Sequence, residues 1–498
     1  MLARPRQNKW PAFLYAGVPL AVTLLLWLSS PYEVSISQAG AAFTLAWVPW
    51  ALYQKWKQGD RREIPLFVLI TGMFWLSYAV PLFLTSRDMA RVDGKHHLSQ
   101  DSLRASLYLA VFGVFALIGG MRVAGWSRWM PSTSFDVSSS PSRWTYLQVV
   151  LVSGILLRFF VPIGTLGAEG KQIITNLETI VPTVTFAILF RHCLRGKGSG
   201  LDRFLVLAYV AATFVLGMSS GWLGSMVQLG LICAAIYVYE RRKLPVTAAL
   251  VMLPVIFFFQ PAKNEFRGRF WRSDSSAGHL ERIAFWVNHS WQMWSAAITE
   301  PNGEGAGDLA DNTLRRFSLL QSTSNIMELT PEVVPYQYGR LYSYIVVTLI
   351  PRFAWPEKPS MSESNSWYQV AYRLTPRSRL GSVSLALGTT AESYVNFGWF
   401  GPLLVMFPLG VFLELFNRSF LRHNSCLLLN ALGVTLLPGL IGIESQLAPY
   451  VAGLTQQVAI AVVVLIPALE PRRHRKLVGW SIRPIIPSAL SRKDLRPS

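Results

Sequence analysis

The chain has 498 residues, of which 51% are hydrophobic and 15% charged, with a formal net charge of +19. Water-soluble domains are normally less apolar and about a quarter charged, so composition argues against one. The positive surplus does not call for nucleic acid. It falls in short stretches between apolar runs, where topology and attraction to anionic lipid account for it.

Runs able to cross about 30 Å of hydrocarbon, roughly 20 residues each, are expected at 11–28, 35–53, 65–84, 103–121, 144–161, 175–192, 203–220, 222–239, 245–260, 398–416, 425–443 and 450–468. The first follows Arg4, Arg6 and Lys9 and begins like a secretory leader. Its apolar stretch is too long, and no small-residue cleavage site follows Ser29 and Ser30, so it is expected to stay as a span. With the N-terminus inside, every cytoplasmic connection is basic. Merging 203–220 with 222–239 would put Arg241, Arg242 and Lys243 outside, so the two are kept separate.

The expected fold is therefore all-α: a polytopic membrane protein of about 12 transmembrane helices, N-in and C-in, with one large extracytoplasmic loop containing interfacial or re-entrant helices. Residues 1–260 hold helices one to nine, 261–395 the loop, 396–470 helices ten to twelve, and 471–498 a basic cytoplasmic tail. The Ser-rich Pro131–Pro141 reads as a flexible linker. Cys193, Cys233 and Cys426 lie in or at the inner edge of helices, where no disulfide is expected.

A loop as long as 261–395 is usually functional or folded. Residues 283–298 mix Trp286, Trp291 and Trp294 with Asn288 and His289, which suits a helix lying in the interface. The apolar piece 341–350 is too short to span and stops at Pro351. Irregular backbone at that depth must be buried or line a wet cavity, and such a cavity is where a site is expected.

No phosphate-binding loop, H-E-x-x-H or paired CxxC occurs. No cofactor and no dedicated metal site are expected. Arginine is the notable feature: 11 of the loop's 13 basic residues are Arg, several beside aromatics or prolines. These include Arg267, Arg269 and Arg272 in KNEFRGRFWR, Arg340 in YQYGR and Arg352 in IPRFAWPEKP. A guanidinium presents a planar fork to phosphate oxygens and stays charged near a low-dielectric boundary, so such a cluster suits a lipid pyrophosphate. The alternative is local pairing, as of Arg352 or Lys358 with Glu357, or snorkelling to headgroups. Within the spans, Arg158 and Glu178 lie toward outer helix ends, where they either pair or face the cavity, and Glu414 lies near an inner end.

The stretch VPYQYGRLYSYIVVTLIPRFAWPEKPS, followed by AESYVNFGWFG, resembles the Wzy-type oligosaccharide repeat unit polymerases of bacterial surface polysaccharide pathways. Gly339, Arg340, Pro351, Arg352, Trp355, Pro356, Lys358, Pro359, Glu392, Tyr394, Asn396, Phe397, Gly398 and Gly401 carry the pattern. The resemblance implies a bacterial inner-membrane polymerase, its site facing the periplasm, that moves a glycan from undecaprenyl pyrophosphate onto the next lipid-linked repeat. Its partners would be undecaprenyl-pyrophosphate-linked oligosaccharide as donor and acceptor, the lipid bilayer, and a chain-length regulator, with no nucleic acid.

On that reading Arg267, Arg340 and Arg352, supported by Lys358, hold the pyrophosphate, and Arg340 and Arg352 stabilise its charge as it leaves. Glu392 is expected just before the helix starting near Gly398, as the general base; the alternative is an acid that merely partners a nearby Arg. Trp271, Trp355, Trp367 and Tyr394 are expected as sugar platforms, or more simply as interfacial anchors. Two other readings stay open: a lipid-linked oligosaccharide flippase or sugar permease, and an O-antigen ligase-like transferase that caps rather than extends.

Overall fold

The computed structural model describes residues 14–59, 63–126, 135–138, 140–160, 168–271, 277–299, 311, 313–315, 317–350, 355, 357–359, 362–380, 385, 387–422 and 426–471. All twelve expected apolar stretches contain helix. In chain order they are α1 (Leu14–Leu28), α2 (Ile36–Gln58), α3 (Leu66–Leu84), α4 (Gln100–Trp126), α5 (Pro141–Phe160), α6 (Ala168–Leu194), α7 (Gly200–Ser220), α8 (Leu223–Arg241) and α9 (Val246–Phe259). The expected loop adds α10 (Lys263–Phe270), α11 (His279–Thr299), α12 (Leu320–Leu329), α13 (Ser343–Leu349) and α14 (Ser362–Ala371). The chain then forms α15 (Thr389–Leu421), α16 (Leu427–Ile441) and α17 (Leu447–Leu465).

Among the described residues seven helices are long and apolar enough to cross a membrane: α3, α4, α6, α7, α8, α15 and α17 with its short continuation to Ala468. Three more are apolar but shorter, within α1, α9 and α16.

Local chemistry sets several boundaries. Ser35 and Gln38 form a reciprocal capping box at the start of α2, and Ser199 and Asp202 form another at the start of α7, each satisfying helix-end N–H groups. The expected tight pair is two helices, α7 and α8, turning at Gly221 and packed on each other. Inside α3 the residues Trp75–Ala79 form a π turn ahead of Pro81. Proline has no N–H to offer the Ser77 carbonyl, and that carbonyl accepts the Leu319 N–H instead, at 2.9 Å.

The most intimate helix pair is α4 with α15. A Cβ on Gly120 would lie 2.0 Å from the Phe407 carbonyl oxygen, and one on Gly410 would lie 2.0 Å from that of Leu117. The missing side chains let the two backbones touch, as small residues do between helices in lipid.

The stretch expected as one external loop folds against the bundle around two satellite cores. One joins Met218, Leu223, Phe259, Phe266 and the fully buried Trp286, and seats α10 and α11 against α7 and α9. The other joins Leu109 of α4 to Ile326, Leu341, Tyr368, Tyr372 and Tyr394. Glu328 of α12 pins the hairpin β1 (Asp88–Arg91) and β2 (Gly94–His97) there, through Arg91 at 2.9 Å and His96 at 2.7 Å. The stretch 283–298, expected in the interface, is the middle of α11, and 341–350 contains the short α13, which packs on α17.

Two expectations are corrected. α15 starts at Thr389, inside the stretch expected as loop, and continues past a kink at Gly398, so Glu392 lies in its first turn and not before the helix. The expected Pro131–Pro141 linker is not flexible throughout. Its β3 (Phe135–Val137) pairs antiparallel with β4 (Leu469–Pro471), with Phe135 opposite Pro471, giving both strands' backbone groups partners. The basic tail from 472 onward lies outside the described residues.

Candidate functional site

At the end of the bundle where α16 passes into α17, four distant segments meet around two carboxylates. Tyr78, turned inward by the π segment of α3, donates to Glu444 Oε2 at 2.9 Å. Thr390 of α15 donates to Glu444 Oε1 at 2.6 Å. Its neighbour Thr389 donates to the carbonyls of Ile443 and Ser445, clasping the α16–α17 connection. Gly388 makes the approach possible, since a Cβ there would fall 2.3 Å from Glu444 Oε2. Thr323 of α12 completes the cluster with a 3.4 Å bond to Tyr78 Oη. Burial pushes the Glu444 carboxyl up to about 7, against the lowering effect of the Thr390 and Tyr78 donors.

The second carboxylate, Glu392, is fully buried. Its Oε2 accepts the Leu447 backbone N–H at 2.8 Å. Leu447 opens α17, whose preceding residue Gln446 supplies no side-chain cap, so Glu392 takes over that role from another helix. Two buried polar atoms here, Glu392 Oε1 and Gln446 Nε2, make no hydrogen bond to any described residue, and the buried Tyr342 hydroxyl lies against Asn396. Burial and the nearby Glu392 raise the Tyr342 phenol well above its ordinary pKa, so it stays a donor. Buried polar groups left unpaired cost about 1–3 kcal/mol each, which marks the spot as one where further hydrogen bonds are due.

The two halves of the resemblance pattern form one unit beside these groups. Asn396 Oδ1 accepts the Gly339 N–H at 3.0 Å, and the Asn396 carbonyl accepts the Tyr338 N–H at 3.0 Å. Gly339 sits at φ +89°, a left-handed conformation that glycine adopts without strain. Tyr342 stacks on Phe397 with ring centres 6.0 Å apart.

A cavity of about 330 Å³ opens among α5–α8, α16 and α17. It is lined by hydroxyl and amide side chains, including Thr183, Gln228, Thr435 and Gln457, together with the guanidinium of Arg158. Arg158 does not use the Glu178 carboxylate as its hydrogen-bond acceptor. It donates to the Glu178 backbone carbonyl at 2.6 Å and to Thr213 at 3.3 Å, and lies 5.6 Å over the Tyr209 ring. Trp222 also lines this cavity, and the guanidinium of Arg267 lies 5.4 Å over its ring.

The remaining expected residues are dispersed around these two centres. Arg267 also stacks on Trp271 at 4.1 Å, so one face of that indole is occupied, while its N–H donates to the Ser220 carbonyl at 2.9 Å. Arg340 and Trp355 are exposed. Lys358 donates to the Ile350 carbonyl at 2.8 Å. Trp367 packs edge-on against Tyr372. Tyr394 is buried between Tyr336 and Trp399, its hydroxyl reaching the Thr330 carbonyl at 3.4 Å, which places it in the satellite core. Arg352 lies outside the described residues. Sequence reasoning missed Glu444, Tyr78, Thr390, Tyr342 and Gln446. The signal for Glu444 was a lone acid between two apolar runs in GLIGIESQLAP.

The family described as "Domain of unknown function (DUF8712)" matches residues 83–419, about two thirds of the chain. No curated protein and no solved structure matches it.

Proposed function

This chain belongs to the DUF8712 domain family, and from that premise we propose that it is an inner-membrane glycosyltransferase joining undecaprenyl-pyrophosphate-linked oligosaccharide repeats into a surface polysaccharide. The proposal takes the twelve-span, N-in and C-in topology, with the Glu392 and Glu444 end facing the periplasm. Its main support is the fully buried Glu392, whose Oε1 lacks a partner among the described residues, with the Tyr342 phenol close enough to feel its charge. They adjoin a loop whose Gly339–Arg340 and Asn396–Phe397 halves match the polymerase-like pattern.

In the proposed reaction the non-reducing-end hydroxyl of the acceptor attacks the anomeric carbon of the donor. The new glycosidic C–O bond forms as the bond to the pyrophosphate oxygen breaks, and undecaprenyl pyrophosphate departs with that electron pair. The hydroxyl proton passes to Glu392 Oε1. Tyr342 and Gln446 orient the sugar by donating to its oxygens, and Glu392 Oε2 keeps its bond to Leu447 throughout. Since Glu392 is fully buried, acceptor entry requires the side chains around it to move apart. Arg340, Arg352 and Lys358 are proposed to receive the donor pyrophosphate from the loop side, and Arg158 and Arg267 from the cavity side.

The cavity favours one competing reading, since a polar chamber with an arginine inside an apolar bundle also suits a lipid-linked oligosaccharide flippase. Purified protein in liposomes, given synthetic undecaprenyl pyrophosphate oligosaccharide, separates them. A ladder of longer glycans supports the polymerase; single repeats moved across the bilayer without elongation would replace it with the flippase.

A further inference from the structure

The opposite end of the bundle holds a second cavity, of about 530 Å³, between the end of α2, the start of α3 and the ends of α4 and α15. Its walls combine apolar side chains such as Phe67 and Met121 with two indoles, Trp56 and Trp126, and four cations, Lys55, Arg122, Arg418 and Arg422. Two carboxylates line it, and both are engaged. Glu414 accepts from Arg418 at 2.8 Å and lies 3.7 Å from Arg422, which also stands 3.6 Å from Glu63. Lys55 and Arg122 form no ion pair with any described residue, and both are exposed. Trp126 is 82% exposed beside them.

We infer that this cavity binds the phosphodiester headgroup of an anionic phospholipid from the adjoining membrane leaflet. Two cations with no ion-pair partner among the described residues attract a phosphate, while the apolar wall and the indoles accept the acyl and glycerol portions that a free anion lacks. Basic pockets between helices at a membrane edge recognise lipid headgroups by this combination. The ion pairs from Glu414 and Glu63 hold Arg418 and Arg422 in place, so the wall exists before lipid arrives. The inference rests on the membrane reading alone and stands whether or not the chain polymerises glycans. The bound lipid would steady the end of α15 opposite Glu392.

The test uses the full chain purified from nanodiscs containing phosphatidylcholine with phosphatidylglycerol, with lipid retention read by native mass spectrometry. Expected is selective retention of phosphatidylglycerol, reduced roughly tenfold or more by Lys55→Ala with Arg122→Ala, at about 1 kcal/mol per cation. Arg242→Ala with Lys243→Ala, which removes two exposed cations outside the cavity, is expected to retain lipid like the parent. Equal retention of both lipids would overturn the inference. So would equal loss in the two double variants, or thermal stabilisation by inorganic phosphate alone matching that by phosphatidylglycerol. Both pairs of side chains are exposed, and unchanged size-exclusion profiles are expected to show intact folds.

Discussion

Tyr78 and Glu444, 366 positions apart in the chain, meet through a 2.9 Å hydrogen bond that ties the π turn of α3 to the α16–α17 connection. The bond satisfies a half-buried carboxyl, whose burial among its neighbours pushes it up to about 7. The unfolded chain ionises Glu444 near its ordinary 4.5 while the folded chain does not. Between those values the folded state therefore holds the extra proton, and stability falls as pH rises through about 7. Glu444→Gln, neutral at every pH, is expected to remove this part of the slope. Thermal midpoints in detergent across about pH 5 to about pH 8 would show it; parallel slopes in parent and variant would refute the assignment.

Gly388→Ala puts a methyl group where Glu444 Oε2 already sits, at 2.3 Å. The surrounding threonine clasp leaves little room to yield, so a loss of about 1–3 kcal/mol is expected, as for overpacking elsewhere. Gly72→Ala, in α3 with open space around it, serves as the comparison in the same melting experiment and is expected to be neutral or slightly stabilising.

Asn396→Ala deprives the Gly339 N–H of its acceptor. The fully buried Asn396 also ties its amide to the Glu392 carbonyl at 2.8 Å, so the change loosens the 335–340 turn and α15 together. Limited proteolysis is expected to cut near Tyr338 faster than in the parent, with a stability loss of about 1–3 kcal/mol. An unchanged cleavage rate would mean that the turn is held by other contacts.

Much of the helical framework was legible because apolar runs and their flanking charges report on the solvent each segment meets. That 283–298 is helical was equally readable from its mixture of tryptophans and polar residues. The start of α15 was not, because Thr389–Phe397 carries the polar Glu392, Ser393 and Asn396 and looks like loop until its partners are known. Glu444 was hidden for a related reason. A short connection between two apolar runs reads as solvent-facing, and only the fold brings Tyr78, Thr390 and Gly388 over it. Arg158 was legible as a charge in an apolar run, but its choice of a backbone carbonyl over the Glu178 carboxylate is a matter of helix packing.

Arg158→Lys keeps the charge in the cavity and loses the fork that holds the Glu178 carbonyl and Thr213 together. If the cavity receives pyrophosphate, retention of undecaprenyl pyrophosphate should fall about tenfold for Arg158→Ala and by less for Arg158→Lys, in proportion to the charge-assisted bonds lost. Equal retention by all three proteins would remove Arg158 from the donor site.

The measurement closest to the central proposal is the glycan ladder made by Glu392→Gln. The amide oxygen still accepts the Leu447 N–H, so the cap on α17 and the fold survive, while the group can no longer take a proton from an attacking hydroxyl. A normally folded variant that binds lipid-linked oligosaccharide but elongates it at least about a hundredfold more slowly, the usual worth of a general base, is the predicted result. A full-length ladder at the parent's rate would contradict it and leave Glu392 as a helix cap alone.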